Sequence, residues 1–197
     1  MIGIVDYGAG NLRSVRKAFA FLGQEAVILD SPEGFAAVDR VVLPGVGSFG
    51  YAMDRLRERR LYECIGAWAA SGRPLFGICL GLQLLAEGSE ESPGVAGFGF
   101  FKGVCGRFPG EKVPQIGWNS VRVLRQDALF AGIRDGEFFY YANSFYLPVG
   151  AAVPAVSDYG IEFAAALGTG NIRGVQFHPE KSGPAGLRLL ANWVGSC

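Results

Sequence analysis

The sequence predicts an α/β fold: an open, mostly parallel sheet with helices on both faces and antiparallel strands added in the second half. Three observations predict it. Short apolar runs alternate with helix-spaced segments up to about residue 87, which is the signature of βαβ units. Beyond that point, short strand-like runs follow one another with few helices between them. Half of the 197 residues are hydrophobic and only 18% are charged, so there is enough apolar surface to bury a sheet on both faces.

Taken in order, Ile2–Asp6 is a short apolar strand closed by Asp6-Tyr7-Gly8-Ala9-Gly10. Asn11 to Leu22 has helical spacing, with Leu12, Val15, Phe19 and Leu22 on one stripe. Val27–Leu29 is a second strand. Arg40–Leu43 is a third, expected to stop at Pro44-Gly45-Val46-Gly47. Tyr51 to Ala70 reads as helix in two pieces ended by Ser71-Gly72; Leu75–Ile78 is a fourth strand and Leu80–Glu87 a helix. In the second half Val104, Val113, Val121–Leu124, Glu137–Tyr141, Tyr146, Phe163–Leu167 and Ile172–Phe177 read as strands, and Pro184 to Trp193 as the last helix. No repeat or linker divides the chain, so residues 1–197 are expected to form one domain.

Composition excludes several function classes. Thirty glycines and ten prolines show no Gly-X-Y period, which leaves tight turns rather than collagen. Eighteen basic residues balance eighteen acidic ones, which argues against a nucleic-acid-binding surface spread over the whole chain. The first six residues lack the basic and long apolar regions of a secretory signal. The longest uncharged run, Phe138 to Ser157, is broken by Asn143, Ser144, Pro148, Gly150 and Pro154, and reads as strands and turns rather than a membrane helix. Cys64, Cys79, Cys105 and Cys197 form no C-x-x-C pair, so reduced thiols and a cytoplasmic location are expected. A single histidine argues against a mixed Cys/His zinc site, and no metal or cofactor is expected.

The chemistry centres on Gly77-Ile78-Cys79-Leu80-Gly81, a G-x-C-x-G pattern after a strand and before a helix. It has the form of a nucleophile elbow with cysteine in place of serine. Such a turn is crowded and needs small residues two before and two after the nucleophile, and the helix N-terminus favours a thiolate. A lone cysteine is more often a small core residue, and Cys64, Cys105 and Cys197 are read that way. Cys79 differs because of its context and because a base is available. A thiol nucleophile needs one, and the only histidine is His178, in Gln176-Phe177-His178-Pro179-Glu180. Pro179 holds His178 in extended backbone, where residues two apart face the same side. Glu180 can therefore reach the imidazole and hold its tautomer. The segment Gly45-Val46-Gly47-Ser48-Phe49-Gly50 matches G-x-G-x-x-G, a weak dinucleotide signal here; no clear ribose-binding acid follows. It reads better as a loop whose backbone N–H groups approach a ligand and, at Val46 together with Leu80, can form an oxyanion hole. Trp118 in Gly117-Trp118-Asn119 is either core or interface.

These residues resemble the class I glutamine amidotransferases, and within them the glutaminase subunits of imidazole glycerol phosphate synthases. The resemblance rests on the cysteine and histidine motifs together with Asp6-Tyr7-Gly8-Ala9-Gly10-Asn11-Leu12, Leu43-Pro44-Gly45-Val46-Gly47-Ser48-Phe49, Val113-Pro114-Gln115-Ile116-Gly117-Trp118-Asn119 and the Lys181-Ser182 extension. It implies the fold of that family. It also implies that Cys79 attacks the glutamine carboxamide to form a thioester, that His178 moves protons and that Glu180 orients His178. Gly47, Gln83, Asn143, Ser144 and Phe145 would hold glutamine. The partner would be a (β/α)₈ cyclase subunit receiving the ammonia, with Asn11, Trp118 and Lys181 towards it. The sequence departs from the family where Gln115 replaces histidine and where Asn143-Ser144-Phe145 replaces His-Ser-Tyr. Two other readings stand beside this one: a glutaminase serving anthranilate, pyridoxal phosphate or GMP synthesis, and a non-enzymatic nucleotide-binding module built around Gly45–Gly50.

Overall fold

A computed structural model describes residues 1–110 and 112–196. The first half runs β1 (Ile2–Val5), α1 (Leu12–Phe21), β2 (Ala26–Leu29), β3 (Arg40–Gly45), α2 (Phe49–Glu58), α3 (Leu61–Ala70), β4 (Leu75–Cys79) and α4 (Leu80–Leu84). The second half runs β5 (Ala86–Ser89), β6 (Phe101–Arg107), β7 (Gln115–Val123), β8 (Glu137–Asn143), β9 (Phe145–Tyr146), β10 (Ala155–Asp158), β11 (Glu162–Thr169), β12 (Ile172–Val175) and α5 (Gly183–Gly195). Nine strands form one sheet in the order β2-β1-β3-β4-β12-β11-β10-β7-β8. The five strands from β2 to β12 are parallel, and β11, β10, β7 and β8 continue antiparallel. A small second sheet has the order β5-β6-β9.

The helices fall on opposite faces because the parallel strands are apolar on both. On one side Val15 and Phe19 of α1 and Trp193 of α5 pack with Ile2, Ile4 and Phe76, the Trp193 ring stacking 5.1 Å from that of Phe76. On the other, Met53 and Leu56 of α2 and Ile65 and Trp68 of α3 pack with Val41, Leu43 and Leu75. All of these side chains are fully or almost fully buried, each contributing about 1.5–3 kcal/mol of transfer free energy.

Several boundaries differ from the sequence expectation. Pro44 does not end β3, which continues through Gly45. β1 pairs with β3 only as far as Val42, whereas β4 pairs with it to Gly45, so no neighbour on the β1 side needs a Pro44 N–H. The helix expected over Leu80–Glu87 stops at Leu84, because Ala86–Ser89 is drawn into pairing with β6. The two-piece helix begins at Phe49 and breaks at Arg60, which is left-handed at φ 58°. Val113 lies outside any strand, β7 starts at Gln115, and β12 ends at Val175, the chain bending at Gln176 and Phe177 before His178. β10 was not anticipated. Cys105 is buried, Cys64 is half-buried, and Cys197 lies outside the described residues. Among the described residues, no helix is long and apolar enough to cross a membrane, and no group of three His, Cys, Asp or Glu side chains could hold a metal ion.

Candidate active site

Cys79 ends β4 and stands at the N-cap of α4 with φ 55° and ψ −111°. Positive φ on a non-glycine residue is strained. The neighbours show why the turn is this tight. A Cβ on Gly77 would stand 2.8 Å from the Gly81 backbone, and one on Gly45 would stand 2.6 Å from the Tyr7 hydroxyl and 2.8 Å from the Leu80 Cβ. β4, α4 and the end of β3 thus meet with no room for side chains at those positions. The sulfur lies 3.8 Å from the Ala142 carbonyl oxygen on β8.

His178 follows β12, the sheet neighbour of β4, and keeps extended backbone before Pro179. Its main-chain N–H donates to Tyr140 O at 2.8 Å. Its Nδ1 lies 2.9 Å from Glu180 Oε1, and both side chains are nearly inaccessible. Burial is the largest influence on the imidazole and by itself lowers its pKa. Hydrogen bonds and charge from Cys79 and Glu180 together outweigh it and push His178 up to about 10. Tyr7 is buried beside the same site, and burial followed by the charge of Cys79 raises its phenol.

A cavity of about 270 Å³ opens over the sulfur, lined by Val46, Gly47, Cys79, Leu80, Gln83, Glu91, Pro114, Ala142, Asn143, Ser144, Phe145, His178 and Lys181. It brings together Cys79, His178, Val46, Leu80, Gly47, Gln83, Asn143, Ser144, Phe145 and Lys181 from the sequence reading. Glu180 stands behind His178. Gln83 Nε2 donates to Phe145 O at 2.9 Å and to Gln176 Oε1 at 3.0 Å, and Asn143 Nδ2 donates to Phe145 O at 3.0 Å. Gln115 lies directly across from Asn143 in the β7–β8 pairing. Gln115 Oε1 and Asn143 Oδ1 are buried without a partner among the described residues.

Asn11 and Trp118 lie outside the cavity. Asn11 is exposed and caps α1, its side chain accepting from Ser14 N–H at 3.3 Å. Trp118 is 57% exposed and meets Tyr140 edge-on at 6.2 Å, so it is not core. It shares one face of the β7–β8 pair with Ile116 and Phe138, also more than half exposed, and Lys181 Nζ lies 5.6 Å from the Tyr140 ring.

Three site residues escaped the sequence reading. Among the described residues Glu91 is the only carboxylate lining the cavity; its position in a loop beyond β5 carries no periodic signal. Ser182 accepts from Tyr140 N–H at 3.0 Å and donates to His178 O at 2.6 Å, stitching the histidine segment to β8. Gln176 stands out in the sequence only as part of the histidine motif. The glycine loop also has a specific occupant. Phe49 N–H donates to Glu91 at 2.7 Å and Gly50 N–H to Ser92 Oγ at 2.9 Å, so the two amides at the start of α2 that would face a phosphate are already engaged. This removes the main support for a nucleotide-binding module.

Residues 3–196 match the family described as glutamine amidotransferase class-I. The chain belongs to the class I glutamine amidotransferases. That makes it an enzyme of the glutaminase type. Among curated proteins it is similar to imidazole glycerol phosphate synthase subunit HisH of Methanothermobacter thermautotrophicus, 46% identical with 98% of each chain covered. The subunit of the same name from Thermococcus kodakarensis is 47% identical, also with 98% of each chain covered. The one from Symbiobacterium thermophilum is 48% identical over 98% of this chain and 92% of its own. Among solved structures, a glutamine amidotransferase crystal structure superposes with a TM-score of 0.79 at 19% identity, covering 98% of this chain and 97% of its own. PurLQS from Thermotoga maritima gives 0.79 at 21%, covering 99% and 97%. At those identities the structures show the amidotransferase fold alone.

Proposed function

We propose that the chain is the glutaminase subunit of an imidazole glycerol phosphate synthase in histidine biosynthesis, acting through a Cys79–His178–Glu180 triad. The observation that carries the chemistry is the convergence of a strained cysteine at a helix N-terminus with a carboxylate-held histidine on the neighbouring strand end. The synthase assignment is supported by the full-length relatives just described.

Cys79 attacks the glutamine carboxamide carbon, and Val46 and Leu80, which line the cavity, are the residues whose backbone N–H groups we assign to the oxygen that becomes negative. His178 gives the proton that lets ammonia leave, and a glutamyl thioester remains on Cys79. Water, deprotonated by His178, then attacks the thioester and glutamate departs. Glu180 fixes the imidazole through Nδ1, so that Nε2 faces the sulfur. Gly47, Gln83, Asn143, Ser144 and Phe145 hold glutamine, with Glu91 as a counter-charge for its ammonium group. No metal or cofactor enters these steps.

The ammonia passes to a (β/α)₈ cyclase subunit in a cytoplasmic heterodimer. The apolar face of Ile116, Trp118 and Phe138, with Lys181 and Asn11, is the surface assigned to it. It adjoins the cavity, since Ala142, paired with Ile116 across the β7–β8 register, and Lys181 both line it. The deciding experiment measures glutamate release with and without the cyclase subunit and its nucleotide substrate. Stimulation by this pair, and not by the synthase partners of anthranilate, pyridoxal phosphate or GMP formation, is expected. Absence of stimulation would overturn the synthase assignment.

A further inference from the structure

We propose that Gln176 is an additional catalytic residue: its side-chain amide donates to the Cys79 sulfur, and Gln83 is a positioning residue that holds that amide in place. The proposal deepens the reading above and rests on Cys79 being the nucleophile.

Gln176 is completely buried, between Val175 and Phe177 of the core, and its main-chain N–H donates to Ala165 O at 2.9 Å. The side chain therefore has few choices. Its Oε1 accepts from Gln83 Nε2 at 3.0 Å, and its Nε2 lies 3.8 Å from Cys79 Sγ, within hydrogen-bonding range for sulfur. Gln83 spends its other amide hydrogen on Phe145 O. If the Gln176 amide turned over, its N–H₂ would face the N–H₂ of Gln83 and its oxygen would face the sulfur. Gln83 thus determines which end of Gln176 meets the nucleophile.

The sulfur has a different partner for each of its forms. A thiol can donate to the Ala142 carbonyl oxygen, at the same 3.8 Å; a thiolate is repelled by that oxygen and is met by the Gln176 N–H. Titratable groups around it are His178 with Glu180 from the segment after β12, Tyr7 from beyond β1, and Glu91 and Lys181 on the cavity wall. Of these only the Tyr7 phenol, kept neutral by burial, is an uncharged donor like the amide, and no hydrogen bond joins it to the sulfur. In acylation a sulfur electron pair forms the S–C bond while the C–N bond breaks and ammonia leaves with a proton from His178. In hydrolysis of the thioester, water forms the new C–O bond and the S–C electron pair returns to sulfur. The Gln176 N–H meets the sulfur when that pair resides on it, which favours release of the thiolate. Because Gln83 lines the glutamine cavity, occupancy there is linked to the nucleophile through one amide.

The test is the pH profile of Cys79 alkylation by iodoacetamide in the full chain, read by mass spectrometry, with no glutamine or partner present. In Gln176→Leu the rate at pH 7 is expected to fall about tenfold and to recover at high pH, a displacement of the profile by about one pH unit. The near-isosteric Gln176→Glu keeps an oxygen for Gln83 but turns another towards the sulfur, and is expected to be slower still at pH 7. Should the leucine variant not fold, this one carries the test. Gln83→Leu should slow alkylation less, and add nothing in the Gln176→Leu background. Profiles that coincide with wild type, or rates lowered equally at every pH, would overturn the role of Gln176. Wild-type Cys79 reacting no faster than Cys64 would overturn the nucleophile assignment itself.

Discussion

Gly81 packs against Leu43 so closely that a Cβ on it would stand 1.8 Å from the Leu43 carbonyl oxygen. The main chain of α4 is thereby pressed onto β3, and Cys79 is held between them. Gly81→Ala cannot be absorbed by a side-chain movement, because the obstacle is backbone. It is expected to destabilise the fold by about 3 kcal/mol or more, measured by denaturant unfolding. A loss below 1 kcal/mol would mean that the elbow is looser than its geometry.

Cys79→Ser should retain the fold and lose glutamine hydrolysis by at least about 10⁴-fold. His178→Ala should lose nearly as much, and the double variant little more, because the residues act as a unit. Steady-state glutamate release from the three variants in the presence of the partner is the measurement. Losses that multiply would show two independent contributions.

His178 is the sole histidine of the chain, so its imidazole can be followed without overlap by NMR. It should remain protonated well above its ordinary 6.5, towards about 10. The folded value lies above the unfolded one. Its contribution to stability is therefore fully present below pH 6.5 and is lost as the pH rises through about 10. Glu180→Gln should lower the titration, with Cys79 still holding part of the upward shift. An unchanged titration in that variant would mean that Glu180 does not hold the imidazole.

Ser182→Ala removes one hydroxyl that both accepts from Tyr140 N–H and donates to His178 O. The half-buried Tyr140 amide loses its partner, at a cost of about 1 kcal/mol, and the histidine segment loses a tether. The expected signature is a lower kcat with little change in KM for glutamine. A rise in KM alone would place Ser182 in substrate binding instead.

Lys181→Ala should retain the fold and reduce stimulation by the nucleotide-loaded cyclase more than it reduces basal hydrolysis. Titrating glutamate release against cyclase separates two cases: a docking defect recovers at high partner concentration and an activation defect does not. Trp118→Ala, which removes a large exposed ring from the adjoining face, should behave as a docking defect. Wild-type stimulation of both variants at every concentration would relocate the interface.

The parallel half of the fold was legible because its strands are apolar on both faces and its turns are marked by glycine. The boundaries that slipped are those set by neighbours. Pro44 remains in a strand only because β1 has ended beside it, and Ala86–Ser89 is a strand only because β6 pairs with it. β10, reading Ala-Val-Ser-Asp, is too short and too mixed to show a period. In the site, Cys79 announces itself through the glycines two residues away on each side, and His178 is the only candidate base. Glu91 and Ser182 have no such signal, because their roles depend on which backbone amides and carbonyls the fold brings beside them.

β12 lies between β4 and β11, and the segment after it meets the end of β4 across a separation of 97 residues, as Gln176 and Cys79 do. A contact so distant along the chain forms late, after the loops between have closed. During synthesis the β1–β4 half emerges with its thiol in place but without its base, which follows only after β5 to β12 have been made. Incomplete or truncated chains would therefore be inert towards glutamine, and reactivity would arise only as the centre of the sheet is filled.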